Sequence, residues 1–231
     1  MEFKIEVNHI KRLLFGGSFD PPHFGHEQCA QKVLESCPQA YLDVIPAEIP
    51  GSSTHLSKIP VASFRKRLKL CEGLFLKSSN SERIFVNDIE HYLPQPNYSY
   101  QTLVLMGKKF SSGEVGLVIG EDQFIHFDRW QRPLDILKHG PVFILNRESK
   151  PGEVLEKFQM VFQRLQCPFK MIDSKTVQLI GVKHKLYWLD NSLHSAKSSI
   201  IRKRLAQKEA PPQGWMPESI EKEIIEANLY L

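Results

Sequence analysis

Residues 16–26 read GGSFDPPHFGH, a glycine-rich stretch that joins an apolar run at 13–16 to a helix-like stretch at 25–36. Where a strand gives way to a helix, the first backbone N–H groups of the helix lack partners, and the helix dipole favours an anion there. Gly16 and Gly17 carry no Cβ atom, so a polyphosphate can approach the main chain closely. The stretch therefore predicts a phosphate-binding turn, in preference to an ordinary glycine-rich turn.

Two histidines, His23 and His26, open the predicted helix. Their three-residue spacing lets both imidazoles face one point over the first turn. Imidazoles aimed at a phosphate can donate hydrogen bonds to the charge that develops during phosphoryl or nucleotidyl transfer. The same spacing permits a shared metal ion, but the sequence places no third ligand, which disfavours a metal site. The stretch matches neither GxxxxGK[ST] nor GxGxxG, so a P-loop ATPase and a Rossmann dehydrogenase are both disfavoured.

Short apolar runs alternate with amphipathic stretches along the rest of the chain. This alternation predicts an α/β fold with a parallel sheet and helices on both faces. Ligands of such folds bind at the carboxyl ends of the strands, near a switch in strand order. Within the helix expected at 61–76, Phe64, Leu68 and Phe75 form the predicted buried stripe. Strands are predicted over 13–16, 40–45, 83–86, 115–120, 141–145 and 185–188, and helices over 25–36, 61–76, 100–110 and 153–165.

Some segments fall outside this alternation. Residues 46–60 and 166–185 have unusual composition and are interpreted as substrate-covering or connecting loops. The tail is predicted to be helical, so that one domain consists of an α/β core and a helical C-terminal part. The core covers about 1–190 and the helical part about 191–231, with helices expected over 198–207 and 217–227.

The tail contains a second candidate anion site. Ser198 and Ser199 are good N-cap residues, so they predict another helix N-terminus able to bind an anion. Arg202 follows in the first turn, where its forked donor pair can bind a phosphate group. Lys203 and Arg204 are interpreted as a solvated basic face, which is also the alternative interpretation of Arg202.

Composition excludes several classes of protein. Apolar residues make up 42% and charged residues 24% of 231 residues, as in an ordinary globular protein rather than a disordered chain, a collagen or a coiled coil. The net charge of +4 suits acidic small molecules and falls short of a nucleic-acid-binding composition. No apolar run approaches the ~18 residues of a membrane span, and the N-terminus does not resemble a secretory signal. The four cysteines form no CxxC pair, which indicates reduced thiols in a cytoplasmic protein.

The stretch GGSFDPPHFGH resembles the GG(T/S)FDPxHxGH element of the nucleotidyltransferase superfamily, and the whole chain is similar to the bacterial nicotinate-nucleotide adenylyltransferases. The other matching elements follow in the family's order. They are FRKRL at 64–68, DIE at 88–90, NYSYQTL at 97–103, GED with RW at 120–130, SSIIR at 198–202, and the closing LY at 229–230.

The resemblance implies a Rossmann-like doubly wound sheet of the nucleotidyltransferase type and direct in-line transfer of AMP in NAD biosynthesis. The 5′-phosphate of a pyridine mononucleotide attacks the α-phosphorus of ATP, and pyrophosphate leaves. Mg²⁺ is expected to bridge phosphate oxygens rather than occupy a protein cage. His23, His26 and Arg202 are the implied catalytic groups. The implied ATP-binding residues are Gly16, Gly17, Ser18, Phe19, Gly120, Asp122, Ser198 and Ser199, and the mononucleotide-binding residues are Ser99, Trp130 and Arg147.

Several of these residues have a structural alternative. Asp122 follows the buried strand at 115–120, where a carboxylate suits ribose hydroxyls but can instead cap the next helix. Trp130, expected to stack on the pyridine ring, is otherwise a core tryptophan. For Ser99 and Arg147, the alternative is a solvated loop residue.

Departures from the family pattern lie mainly on the mononucleotide side. The segment 46–58 reads PAEIPGSSTHLSK where the family usually carries Pro-Pro-His-Lys, and Gln101 stands where aspartate is common. Nicotinamide mononucleotide and phosphopantetheine are therefore alternative acceptors, although a phosphopantetheine enzyme is usually shorter and lacks the Arg-Trp pair. A catalytically silent nucleotide-binding regulator is the alternative from another class, against which the intact His23, His26 and Arg202 argue.

Overall fold

The computed structural model describes residues 7–51, 59–146, 150, 152–190 and 194–230. Within them, one eight-stranded sheet has the strand order β3-β2-β1-β4-β5-β8-β7-β6. The pairs from β3 through β5 to β8 are parallel, whereas β7 pairs antiparallel with both β8 and β6. The strands are β1 (Arg12–Gly17), β2 (Tyr41–Pro46), β3 (Ile84–Val86), β4 (Val115–Gly120), β5 (Val142–Leu145), β6 (Phe169–Asp173), β7 (Thr176–Leu179) and β8 (Lys185–Leu189).

Helices cover both faces of the sheet, as predicted. Successive residues of a strand face opposite sides, so Leu13 and Phe15 join one core and Leu14 joins the other. The first core contains residues of α1, α2, α7 and α8, and the second contains residues of α3 to α6. The helices are α1 (Phe24–Ser36), α2 (Phe64–Phe75), α3 (Ser99–Gly107), α4 (Glu121–Phe124), α5 (Pro133–His139), α6 (Glu153–Arg164), α7 (Ser198–Ala206) and α8 (Glu218–Glu226).

The switch in strand order lies between β1 and β4. From β1 the chain builds outward through β2 to β3, and then returns to place β4 on the other side of β1. Phe15 pairs with Val118, so β1 and β4 end side by side, two residues later, at Gly17 and Gly120. In doubly wound folds this is where the crevice for a ligand opens.

The prediction for 166–185 was wrong. This segment contains β6 and β7, an antiparallel hairpin that extends the sheet, so the sheet is not wholly parallel. The turn between them is stabilised by a hydrogen bond from the Lys175 N–H to Asp173 Oδ1 (2.8 Å). Because an aspartate makes this turn, the sequence there contains no Gly or Pro that would have predicted it. Burial along β6 alternates between half-buried and exposed residues, because only one face of this edge strand meets the core.

The buried face of α2 also differs from the predicted one. Leu68 and Phe64 are only half-buried, whereas Phe75 is buried as predicted, together with Leu70 and Leu74. Arg67 lies on this buried face. The buried face is therefore not the one that the apolar residues alone predict. The short helices α4 and α5 were not predicted. Residues 52–58 lie outside the described residues; they include His55 and Lys58, the rough counterparts of the His and Lys in the family's Pro-Pro-His-Lys element.

No helix in the described ranges is both long enough and apolar enough to span a bilayer.

Candidate active site

The two histidines form a tight pair at the start of α1. His23 is the extended N-cap residue (φ −154°, ψ 169°), and its N–H donates to Nδ1 of His26 at 3.2 Å. The two rings stack with centroids 3.8 Å apart and planes 28° apart. This confirms the expectation that both imidazoles meet over the first turn. Because Nδ1 of His26 accepts a hydrogen bond, the proton of its neutral ring is on Nε2, which is then a donor.

Phe19 fixes this turn in the core. Its ring is buried and meets the His26 ring edge-on at 5.0 Å, as well as the rings of Phe15 and Phe75. Its backbone adopts a left-handed conformation (φ 46°), which is uncommon for a residue with a side chain. The burial of the Phe19 ring compensates for that strain, and the ring lies against His26. A Cβ at Gly17 would lie 3.1 Å from the Phe19 ring, so glycine allows this close packing.

The second motif meets the first, although they are far apart in the chain. The Ser198 hydroxyl donates to the Pro21 backbone oxygen at 2.9 Å. Nη1 of Arg202 donates to the Asp20 backbone oxygen and lies 3.6 Å from Asp20 Oδ2. The prediction that Ser198 and Ser199 cap α7 was wrong in detail, because Lys197 is the N-cap residue and Ser198 binds across to the first motif instead.

Two buried charged residues at the turn were not predicted. They are Asp20, within the turn, and Arg67, which binds the turn at the Ser18 backbone oxygen. Asp20 is 4% exposed and accepts the Val61 N–H (2.8 Å) and the Ala62 N–H (3.0 Å). Arg67 is 1% exposed; burial lowers the pKa of its guanidinium, and the nearby Asp20 carboxylate counteracts this. In the sequence, Arg67 stands in a run of basic residues, and such runs usually form a solvated helix face, so its burial could not be recognised.

Asn97 organises the neighbouring side of the crevice. Its side-chain oxygen accepts the Ile49 N–H (3.0 Å), and its side-chain nitrogen donates to the Glu90 backbone oxygen (2.9 Å). Its own N–H donates to Ile49, and its backbone oxygen accepts the Gly51 N–H. These bonds attach the segment that follows β2 to the chain just before α3, which begins at Ser99.

The family model described as cytidylyltransferase-like matches residues 14–204, a range that includes the histidine pair and Arg202. The chain belongs to the cytidylyltransferase-like family. The family-level resemblance drawn from the motifs is thereby confirmed.

Known proteins similar to this cytidylyltransferase-like chain have closely related names. A protein of Thermosipho melanesiensis named probable nicotinate-nucleotide adenylyltransferase is 32% identical, in an alignment that covers 74% of this chain and 85% of the relative. A protein of the same name in Aquifex aeolicus is 30% identical, with 67% of this chain and 88% of the relative covered. A solved structure of the Plasmodium falciparum nicotinic acid mononucleotide adenylyltransferase complexed with APC has a TM-score of 0.68 at 17% identity. It covers 96% of this chain and 98% of its own, and it shows a shared fold.

The structure gives the positions of several other predicted site residues of this cytidylyltransferase-like chain. Gly120 ends β4 and is the N-cap residue of α4, so Asp122 does not cap that helix; its side chain is exposed. Trp130 is half-buried and tilts against Phe127, with ring centroids 5.3 Å apart, at the margin of the second core. Ser99 is half-buried at the first position of α3, and Arg147 lies outside the described residues.

The structure also bears on the metal alternative for the histidines. Within the described part of the chain, no three His, Cys, Asp or Glu side chains cluster as a metal site would require. The Asp20 carboxylate at the turn accepts the N–H groups of Val61 and Ala62 and lies near Arg202. The other side chains there, two imidazoles and a guanidinium, are donors suited to an anion.

Glu90, beside Asn97, is a buried carboxyl that makes stability depend on pH. Burial raises its pKa from 4.5 to about 7, against the lowering effect of the Thr102 hydroxyl and Arg67. The folded state therefore holds this proton more tightly than the unfolded state, so this group lowers the free energy of unfolding as pH rises from about 4.5 to 7. We expect Glu90→Gln to be more stabilising at pH 8 than at pH 4.5, by about 1–3 kcal/mol.

Urea unfolding at both pH values measures this difference. Glu82→Gln, at an exposed position, is the matched control and is expected to show no comparable difference. An equal effect of Glu90→Gln at the two pH values would contradict the prediction.

Proposed function

We propose that this chain is a nicotinate-nucleotide adenylyltransferase, which transfers AMP from Mg·ATP to nicotinate mononucleotide. The products are nicotinate adenine dinucleotide and pyrophosphate. The observation that carries the proposal is that Arg202 binds the backbone oxygen of Asp20, three residues before the stacked His23–His26 pair, so that both lie at one turn. The names of the relatives support the acceptor, and the shared fold supports the type of reaction.

The proposed reaction is a single displacement at the α-phosphorus. An oxygen of the acceptor 5′-phosphate forms the new P–O bond, while the bond to the α,β-bridging oxygen breaks and pyrophosphate carries away the charge. Positioning and charge stabilisation then supply the catalysis, without a covalent enzyme intermediate. His26 donates from Nε2 to a phosphate oxygen, His23 binds beside it, and Arg202 binds the β- or γ-phosphate. Mg²⁺ enters with ATP as part of the substrate and neutralises phosphate charge.

The remaining residues divide between the two substrates. Gly16, Gly17 and Ser198 belong to the proposed phosphate site, and Asp122 binds ribose hydroxyls beyond the end of β4. The mononucleotide side is proposed to consist of Ser99 and Trp130, with the indole against the pyridine ring.

Pyrophosphate release from Mg·ATP tests the function directly. Nicotinate mononucleotide, nicotinamide mononucleotide and phosphopantetheine are supplied separately, and the greatest kcat/KM is expected with the first. Higher kcat/KM with either of the others would change the acceptor, and no release with any acceptor would overturn the enzymatic proposal.

Gly25 supplies a test of the histidine geometry. A Cβ at this position would lie 3.0 Å from Nδ1 of His23, so Gly25→Ala requires the His23 ring to shift by a few tenths of an ångström. Displacement of a group that acts on the phosphates is expected to lower kcat by about 10-fold, since small misplacements weaken positioning. Steady-state pyrophosphate release measures the effect.

Gly73→Ala is the matched control within α2. There a Cβ would meet only Ile220, at an ordinary contact distance of 3.5 Å. This variant should keep its kcat and gain up to about 1 kcal/mol of stability from helix propensity. Unchanged turnover in Gly25→Ala would show that the position of His23 does not matter to the reaction.

A further inference from the structure

Arg67 joins three separate segments of the chain. Nη1 donates to the Ser18 backbone oxygen (2.7 Å), Nε to that of Ala62 (3.0 Å), and Nη2 to that of Glu48 (3.3 Å). We call this set of bonds the Arg67 clamp. Ser18 belongs to the phosphate turn, whereas Glu48 and Ala62 belong to the two flanks, 47–51 and 59–62, of the segment between β2 and α2.

The clamp needs the planar fork of an arginine. A guanidinium presents several N–H donors in fixed directions, whereas an ammonium is a point charge that cannot satisfy three carbonyl groups in one plane. A buried charge is tolerated only when hydrogen bonds and a counter-charge compensate for its lost hydration. The three carbonyl groups and the nearby Asp20 supply both.

Asp20 connects the clamp to Arg202. Its carboxylate accepts the N–H groups of Val61 and Ala62, so it holds the second flank from one side while Arg67 holds it from the other. Its backbone oxygen and Oδ2 face Nη1 of Arg202. The two flanks and the proposed phosphate-binding arginine therefore share one buried support.

The first flank also leads to the acceptor side. Ile49 and Gly51 are hydrogen-bonded to Asn97, two residues before Ser99. The Ala47 N–H in turn donates to the backbone oxygen of Gly17, at the end of β1. The flanks thus border the crevice between the phosphate turn and the start of α3.

We propose that Arg67 is a positioning residue that couples the two substrates, by holding both flanks of the 47–62 segment on the turn that also holds Arg202. The proposal rests on the proposed adenylyltransferase function. Occupation of either site stabilises the clamped arrangement, so each substrate raises the affinity for the other by the same factor. Such coupling is typically 5–150-fold.

The test compares Arg67→Lys with Arg83→Lys. Arg83 is the matched control, because it also binds three backbone oxygens, that of Leu34 in α1 and those of Pro38 and Ala40 between α1 and β2. Calorimetry gives the Kd of a non-hydrolysable ATP analogue with Mg²⁺, in the presence and absence of nicotinate mononucleotide. Pyrophosphate release gives kcat and both KM values.

For the wild type and Arg83→Lys we expect at least about 5-fold coupling. For Arg67→Lys we expect coupling near 1, a KM for the mononucleotide raised about 10-fold, and a kcat at saturation within about 3-fold of wild type, since uniform binding is lost rather than transition-state stabilisation. A general loss of structure would not separate KM from kcat in this way. Wild-type coupling retained in Arg67→Lys, or no coupling in the wild type, would overturn the proposal.

A second variant covers the case in which Arg67→Lys does not fold. Val61→Pro removes the N–H that Asp20 Oδ2 accepts, at a side chain that is 63% exposed, and leaves Arg67 intact. It is expected to reduce the coupling in the same direction, and unchanged coupling in this folded variant counts against the proposal. Failure of the underlying function has a different signature, because the wild type then releases no pyrophosphate at all.

Discussion

Replacement of His26 by alanine is expected to lower kcat by about 10²-fold or more, the scale of losing one preorganised donor to developing charge. The structure gives the physical reason. Nδ1 of His26 already accepts the His23 N–H, so the ring presents Nε2–H as a donor, and the edge of Phe19 holds the ring in place. A donor fixed before the reaction needs no reorganisation in the transition state.

The control for this prediction is His9→Ala. His9 is exposed and precedes β1, at the end of the sheet opposite to Gly17, so its loss should leave kcat unchanged. His26→Ala also removes the acceptor of the His23 N–H, at a stability change of about 1 kcal/mol. Urea unfolding of the variant shows whether it remains folded under assay conditions. Wild-type turnover in folded His26→Ala would remove this histidine from the mechanism.

Replacement of Arg202 by alanine is expected to lower kcat/KM for ATP by about 10²-fold. Its guanidinium is held by the Asp20 backbone oxygen and lies 3.6 Å from Asp20 Oδ2, which orients the remaining N–H groups. Charge-assisted bonds to a polyphosphate are stronger than neutral ones, and the forked geometry can use two at once. Arg202→Lys keeps the charge but loses the fork, so it should recover only part of the activity.

Lys203→Ala provides the matched control, because it removes one positive charge from the next position of the same helix. Lys203 is exposed, and a change there should leave kcat/KM within about 2-fold of wild type, as for a solvated charge. Equal losses in Arg202→Ala and Lys203→Ala would indicate a general electrostatic effect rather than a specific contact. Repeating the assay at higher salt separates these cases further, since screening weakens the general effect most.

The features that the sequence predicted correctly are those with local causes. The strand at 115–120 was predicted with its observed bounds, because a short apolar run that ends at glycine is typical of a buried strand. The meeting of His23 and His26 follows from helical spacing alone. The two anion-binding patterns were predicted separately, whereas the contact of Arg202 with the first motif is known only from the structure. The proposed role of each residue remains a prediction.

The features that were missed depend on tertiary surroundings. Arg67 lies beside Arg65 and Lys66, which are exposed, and nothing local distinguishes the one buried cation from its neighbours. Its burial depends on carbonyl groups from three segments, of which those at Ser18 and Glu48 are 49 and 19 residues away, and no periodicity encodes such contacts. The edge strand β6 was missed because one of its faces is exposed, which weakens the apolar signal that identified the central strands. Its neighbour β7 is mostly buried but only four residues long, which gives little pattern to recognise.

The order of the two motifs along the chain affects how the protein comes to bind nucleotide during synthesis. Asp20 and Arg202 are 182 residues apart, so a ribosome finishes the β1–α1 turn long before it makes α7. Contacts at such separations form late, after the sheet between them has assembled. A growing chain therefore holds only the first of its two proposed phosphate-binding elements. Under the proposed function, competence to retain a nucleotide arrives with α7, after most of the sheet has been synthesised.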